Sequence, residues 1–589
     1  KGEVAVRASR KRQDLWAYLL KTPGGEAKRV LWGLFARRDM SEQELIGGFD
    51  CLGALERTAK QPDLVKRSLV YQYRFDPDQD TKLHEGSTCF FAHDLTISVV
   101  IEALDPERGL LEFKLGAKRD QPPDRLSLTP NEYVSAEPIA AAVFRYVEAW
   151  SQGNILSRAV DDLLQRRSPR LKGRRKTGPV ITAEDDLLAG TIDVIGRMQD
   201  TVLCLQGPPG TGKTYKAAQA IVKLMEGGKR VAVAANSHKA ILNVLRAIHE
   251  ARSQSRSEFR IVKVGSPEDD PLVGQGFLEH IPSTSDAQAA LGSGPLVMGG
   301  TAWLFSRPEF QGAFDYLFVD EAGQFSLANA VAVGLAAKNL VLVGDQMQLA
   351  QPLLGAHPGE SGQSVLNYLL AGRATISPEM GVFFHETWRL HPAICQFISE
   401  AVYEGRLQSH PRTASRAVRA RGPLIQRRAG ITFVSVMHEG NSQASEEEAD
   451  VIQQIVAELV GRQVVDGERK RNRPLTVADI LVVAPFNMQV RLLKARLGAT
   501  IQVGSVDKFQ GQEAEVVIVS MCSSTLQDSP RGAEFLLEPN RLNVALTRAK
   551  SLAIVVGNPG LVAAQSQSIR EMELANLFCW LVDYSNGEA

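Results

Sequence analysis

Cysteine is scarce and dispersed. Cys51, Cys89, Cys204, Cys395, Cys522 and Cys579 form no C-x-x-C pair. That spacing excludes a disulfide framework and a cysteine zinc site, and suits buried thiols in a reducing, cytoplasmic setting. No charge of one sign dominates either, since Lys+Arg and Asp+Glu both number 67. A global pull toward nucleic acid is thereby excluded, and any such contact must come from a local patch or a lined channel. Long apolar runs are also missing. The longest are strand-sized and interrupted, so no membrane span is expected. The chain opens on Lys1 with no signal-peptide pattern, and is expected to be a fragment of a longer polypeptide.

What is present is enough for several globular domains: 589 residues, 44% hydrophobic and 23% charged. Residues 1–66 carry apolar spacing near 3.6, as in Leu15, Leu19 and Leu20, then Val30, Leu31 and Leu34, which predicts the first part of a helical stalk. Residues 67–125 change period. "RSLVYQYRF", "STCFFAH", "ISVVIEAL" and "LLEFKLG" are short β-rich runs that predict a small antiparallel sheet or barrel. Residues 126–179 return to helix, with Ile139, Val143, Val147 and Trp150 on one face, and end in the basic run "RRSPRLKGRRKTGP". That run reads as a linker; a solvated hinge and a phosphate-contacting segment both remain open. From residue 180 apolar strands alternate with amphipathic helices, which predicts α/β architecture with parallel sheets. About 400 residues exceed one such sheet, so the region splits into 180–377 and 378–589.

"GPPGTGKT", Gly207 to Thr214, follows a strand and opens a helix, as a phosphate loop requires. Gly207, Gly210 and Gly212 let the backbone curl, with Pro208, Pro209 and Thr211 between them. The curled N–H groups favour anions, Lys213 reaches the β/γ-phosphates, and Thr214 suits Mg2+. The loop says nucleoside triphosphate and no more. "DEAGQ", 320–324, then has two readings: a GTPase switch, or the acidic strand end of an ATPase. A GTPase needs N/T-K-x-D downstream, and nothing after Gln324 fits. An adjacent acid pair suits a metal ligand, Asp320, beside a general base, Glu321.

Further stretches follow in order: "AANSHKAI" (234–241), "VMGGTA" (297–302), "GDQMQL" (344–349), "TWRLHP" (387–392), "APFNMQV" (484–490), "SVDKFQGQE" (505–513) and "NVALTRAK" (543–550). Taken together with the phosphate loop and "DEAGQ", the series resembles the motifs of superfamily 1 helicases. The resemblance is to the 5′→3′ branch that includes the nonsense-mediated-decay helicase and the Okazaki-fragment nuclease–helicases. It runs from about Gln206 to Asn558. It implies two tandem RecA-like P-loop domains, preceded by the stalk and barrel, acting as a monomeric motor that uses ATP and Mg2+. It implies catalytic roles for Lys213, Glu321, Gln348 and two arginine fingers, Arg389 and Arg548. Trp388 would pack on the base, and Gln510 and Glu513 would lie near the nucleotide. Asn236, Ser237, Lys239, Thr301, Pro485, Asn487 and Ser505 would meet the nucleic-acid strand. Gln324 would bridge toward Gln348. The implied activity is 5′→3′ translocation and unwinding on single-stranded DNA, in a DNA-repair setting. An RNA helicase and a nucleotide-gated clamp are the alternatives.

One element departs from the family. Its L-N-x-x-Q adenine reader is replaced by "ITAEDDLLAGTIDVIGRMQD", where Asp185 and Gln199 are the candidates. Separately, Asp94, Glu112 and Lys114 spell a loose D…E-x-K nuclease pattern, which a plain amphipathic strand also gives. Some bacterial relatives fuse a RecB-like nuclease ahead of such a helicase, so an associated nuclease domain outside this chain is a further expectation.

Overall fold

The computed structural model describes residues 2–587, apart from 48–50, 78, 80, 82, 107, 132–133, 175–177, 183–185, 256–257, 266–272, 274–275, 293, 351–356, 420–421, 466–471, 530–531 and 562–567. The chain divides into two compact units, residues 1–140 with 353–359, and residues 141–352 with 360–589. Among the described residues no helix is long and apolar enough to cross a membrane.

The first unit holds the helix Gly2–Arg38 and a closed barrel. Its strands run in the order Leu52–Arg57, Arg125–Pro130, Thr88–Phe91, Asp94–Asp105, Leu110–Gly116 and Ser68–Arg74, and the last pairs back onto the first. Closure leaves no free edge in the ring. Period-2 alternation turns Leu111, Phe113 and Leu115 inward and leaves Glu112 and Lys114 partly exposed. The rings of Tyr73 and Phe113 stack at 5.2 Å in the centre. The sheet is larger than the span 67–125 read from sequence. Leu52–Arg57 and Asp63–Val65 lie where stalk was expected, and the last strand ends at Pro130. The reason is local. The register of Leu52–Arg57 shifts between Leu52 and Leu55, around Ala54 at φ +51°, so its apolar residues do not alternate.

The second unit contains two α/β lobes. In the first, eight parallel strands stand in the order Glu279–Ile281, Arg260–Val264, Leu296–Gly300, Arg230–Ala234, Phe314–Val319, Ala337–Gly344, Val202–Gln206 and Gly381–Phe383. Strands covered on both faces read as unbroken apolar runs, and Val202–Gln206 is buried throughout. The second lobe is a parallel sheet of five, Gly430–Ser435, Ala549–Gly557, Ala514–Ser520, Ile480–Val483 and Gln502–Gly504. Each lobe has its own apolar core. The lobe boundary lies later than residue 378. Gly381–Phe383 pairs with Val202–Gln206, so it still belongs to the first sheet.

The basic run 166–179 is less a hinge than a set of struts. Arg166 donates to Tyr368 O (2.7 Å) and lies over the Tyr368 ring. Arg167 pairs with Asp161 (3.0 Å), and Arg170 with the buried Asp162 (2.7 Å). Arg174 donates to the carbonyls of Pro169 and Gly178. These four guanidinium groups are engaged by protein, with Arg167 half exposed beside its partner. Residues 175–177 lie outside the described residues.

Candidate active site

Three neighbouring strands of the first lobe end at one place. Val202–Gln206 leads into the phosphate loop, Ala337–Gly344 into Asp345, and Phe314–Val319 into Asp320 and Glu321. Ligands of open α/β sheets gather at such carboxyl ends. The tips are locked together by backbone. Gly207 N donates to Gly344 O (2.9 Å), and Asp320 N to Ala234 O (2.8 Å). A Cβ on Gly323 would stand 2.3 Å from Asp345 O, and one on Gly344 would stand 2.7 Å from Ala322 N. The glycine of "DEAGQ" is therefore required by close backbone approach to the neighbouring tip, which accounts for it without a switch. Gly212 begins the helix Lys213–Glu226 at φ +73°, a conformation that favours glycine.

The second lobe meets these tips directly. Thr387 Oγ1 donates to Pro209 O (2.8 Å), and Trp388 N to Gly210 O (2.9 Å). A Cβ on Gly210 would fall 2.4 Å from Arg389 Cβ. Between the lobes lies a cavity of about 390 Å3, lined by Lys213, Thr214, Asp320, Glu321, Gln348, Arg389, Gln510 and Arg548, among others. The expected catalytic and metal residues thus share one cavity. Pro209, Gly210, Thr211, Gly212 and Gln324 also line it, while Gly207 and Pro208 are buried behind it.

Electrostatics follow from this geometry. Lys213 Nζ turns back onto Gly207 O and lies 3.4 Å from Pro208 O. Burial lowers its pKa, although Asp345 and Asp320 oppose that. Burial also raises the Asp320 carboxyl. Glu321 is pushed up to about 7 by burial and by Asp320, with Lys213 and Arg548 pulling the other way. Its backbone sits at φ +51°, uncommon for a glutamate and held by the packed tips on either side. Gln510 reaches Glu321 across the cleft at 3.4 Å. Arg548 is lowered to about 10, first by burial and then by Arg389. It donates to Val544 O and Gln512 O, both at 3.2 Å. Its Nη2 is buried with no hydrogen-bond partner among the described residues.

That orphan donor is a fit test for a bound polyphosphate, and the cavity passes it. Three cations line the cavity beside the phosphate loop, and its volume is that of a small-molecule site. Thr214 and Asp320 would hold Mg2+, an ion commonly bound by one or two carboxylates, substrate phosphates and water. Among the described residues no group of three or more His, Cys, Asp or Glu could hold a metal ion.

Several residues stand elsewhere than expected. Trp388 does not line the cavity; it is 44% exposed and stacks on His410 at 3.6 Å. Glu513 also lies outside the lining and accepts from Arg389 Nε (2.7 Å). Burial opposes its charge, but Arg389 and Lys550 outweigh that and hold its pKa low. Gln348 Nε2 donates to Asp345 Oδ2 (3.1 Å), and the backbone carbonyl of Gln324 accepts from Asn236 (2.7 Å), so the hydrogen bonds of these two residues lead apart. Gln199 is exposed at the foot of Val202–Gln206, the end opposite the phosphate loop, so it cannot stand in for the adenine reader. Asp185 lies outside the described residues. Sequence reading missed Asp345, which lines the cavity, and Thr387, which pins the loop. The signal for Asp345 was its place after a buried strand and a glycine.

The expected strand contacts sit at strand tips. Asn236, Ser237 and Lys239 follow Arg230–Ala234, and Thr301 follows Leu296–Gly300. Ser237 caps the helix His238–Ser253 by accepting from Ala240 N (3.1 Å), while Lys239 is exposed. Pro485 and Asn487 follow Ile480–Val483, and Ser505 follows Gln502–Gly504. On the barrel, the D…E-x-K residues do not converge. Asp94 accepts from Thr96, Glu112 from Lys60 and Gln72, and Lys114 pairs with Glu102.

Two family models, each described as an AAA domain, match residues 191–357 and 363–560. A regulator of nonsense transcripts 1 homolog from Drosophila melanogaster is 26% identical over 416 residues, covering 62% of this chain and 34% of the relative. The putative helicase mov-10-B.1 of Danio rerio is 28% identical over 419 residues, covering 62% and 40%. The DNA replication ATP-dependent helicase/nuclease DNA2 of Xenopus laevis is 27% identical over 387 residues, covering 60% and 35%. The chain spans about a third to two fifths of the length of these curated relatives. Each α/β lobe carries its share of the ordered motifs, each is matched by its own family model, and two of these relatives are helicases by name: the chain is related to helicases of the DNA2 and mov-10 kind and to the regulators of nonsense transcripts.

Proposed function

We propose that the chain is a strand-stimulated ATPase that translocates 5′→3′ on single-stranded DNA and unwinds duplex. One observation carries the reading: Arg389 and Arg548 from the second lobe enter the same cavity as Lys213, Asp320 and Glu321 from the first. An arginine finger is worth about 10³–10⁵ in rate in related phosphoryl transfers. Supplied from a second body, it makes hydrolysis depend on how the lobes close. Lys213 and the loop N–H groups bind the phosphates, Glu321 takes the proton of the attacking water, and the two arginines meet the charge that develops. Mg2+, held at Thr214 and Asp320, would supply charge neutralisation at the phosphates.

Contacts at the strand tips of both lobes would then shift against each other as nucleotide state changes. Grip through backbone and stacking implies little sequence preference. The DNA assignment rests on the kinship with DNA2-type proteins; the kinship with regulators of nonsense transcripts keeps RNA as the second reading. The test compares ATP turnover with matched single-stranded DNA and RNA, then strand displacement on tailed duplexes of either polarity. Stimulation by DNA with displacement from a 5′ tail is expected. Stimulation by RNA alone would reassign the strand. Stimulation without displacement would make the protein a nucleotide-gated clamp. An associated nuclease remains a proposal for polypeptide beyond this chain.

A further inference from the structure

The cavity wall contributed by Asp345 is held from behind. Asp345 is 5% exposed, and its carboxylate accepts three hydrogen bonds. Two are local, from Met347 N (3.2 Å) and Gln348 Nε2 (3.1 Å). The third comes from Tyr403 OH at 2.7 Å, from just past the helix Pro392–Val402. Tyr403 is fully buried, and its hydroxyl in turn accepts from Asn543 Nδ2 (3.1 Å). Asn543 lies on the helix Pro539–Leu546, five residues before Arg548, and its amide also donates to Met347 O (2.7 Å). Asn540 adds a bond to Gln346 O (3.2 Å). Burial and the Asp345 charge hold the Tyr403 phenol well above its ordinary pKa, so it stays a donor.

We propose that Tyr403 is a positioning residue: through its hydroxyl it ties Asp345 and Gln348 on the first lobe to the helix that leads into Arg548 on the second. The tie is polar and dry, and two direct amide bonds, Asn543 to Met347 O and Asn540 to Gln346 O, flank the hydroxyl. A buried acceptor that loses its donor is costly to leave unmade, so Asp345 and Asn543 move together while the bond stands. Any displacement of the helix Pro539–Leu546, two residues before Arg548, is therefore felt at Asp345, on the cavity wall beside Lys213 and Glu321. Neither Tyr403 nor Asn543 lines the cavity, so the effect is transmitted and not made by contact with nucleotide.

The inference rests on the proposed strand-stimulated ATPase, and the experiment separates the two. Tyr403→Phe keeps the ring, which packs near Phe383 at 6.2 Å between centroids, and removes only the oxygen. Turnover is measured with and without single-stranded DNA and RNA, with KM for ATP and the melting temperature recorded alongside. Strand-stimulated kcat should fall about tenfold, the effect of one buried hydrogen bond. Strand-free kcat and KM for ATP should stay within about twofold. Asn543→Ala, which also removes the bond to Met347 O, should lower stimulated kcat at least as far, and the double variant should lose no more than Asn543→Ala alone. A Tyr403→Phe protein with full stimulation overturns the proposal. So does a loss that appears equally in KM, strand-free kcat and melting temperature, which marks a purely structural tyrosine. If the unaltered chain shows no stimulation by either strand, the proposed function fails first.

Discussion

The two α/β lobes share a parallel fold but place their polar groups differently. The first lobe exposes them at its strand tips, where Asp320, Glu321, Asp345 and the phosphate loop face one cavity. The second lobe buries a cluster of its own. His438 Nε2 lies 3.0 Å from Glu448 Oε1, with neither side chain exposed, and Glu448 also accepts from Ser520 Oγ (2.6 Å) and Cys522 N (3.0 Å). What the second lobe gives to the site is two arginines, from segments that precede a helix and a strand, with Gln510 beside Glu321. One lobe gathers its charged groups in a recess, the other buries a polar cluster and places two arginines at that recess. The difference teaches where substitutions should strike chemistry and where they should strike stability.

Arg548→Ala should break the comparison most severely. Strand-stimulated turnover should fall about 10³-fold or more, with nucleotide binding retained in a filter or fluorescence titration. Lost binding would mean that Arg548 serves the first lobe's task. Glu448→Ala should leave His438, Ser520 and the Cys522 N–H without their acceptor. A loss of about 3–5 kcal/mol in urea denaturation is expected, the size for a broken buried pair. A smaller shift would show the cluster to be wetter than its burial suggests.

Glu321→Gln sharpens the first lobe's side. The folded carboxyl is raised to about 7 from an ordinary 4.5, so ionising it in place opposes folding. Its favourable share of stability is complete below about 4.5 and is lost as pH rises through 7. The glutamine variant should therefore melt higher than the parent at pH 8, by on the order of 2–3 kcal/mol, with the gap closing between pH 7 and 4.5. In the parent, turnover should fall below pH 7 as the base takes up its proton. A gap that does not vary with pH would refute the shifted carboxyl. Lys114→Ala marks the lower bound. Its partner Glu102 and Lys114 itself are each about a third exposed, and such pairs contribute about 0–1 kcal/mol. Thermal melting should barely move.

The parts legible in the sequence were those with a repeated or ordered signal. Apolar runs such as "TVLCLQ" and "NLVLVGD" announced buried parallel strands, and glycine spacing announced the phosphate loop. Motif order then indicated which residues would share a cavity. The parts that stayed hidden depend on partners far along the chain. Leu52–Arg57 reads as stalk until Arg125–Pro130 and Ser68–Arg74 close a barrel around it. Gly381–Phe383 is three residues long, and only its pairing with Cys204 to Gln206 assigns it to the first sheet. The arginines of 166–174 look solvated until Tyr368 and Asp162 are seen beside them. Tyr403 and Asn543 are single letters 140 apart, and no spacing rule joins them.

The attachment of Thr387 and Trp388 to Pro209 and Gly210 has a mechanical consequence. Arg389 directly follows Trp388, so it sits beside that fastening. Arg548 itself donates within its own lobe, to Val544 O and Gln512 O. Were the lobes to rotate about that fastening, Arg548 would travel farther than Arg389. The two arginines then divide the labour of a latch: one is the hinge pin, the other the tongue.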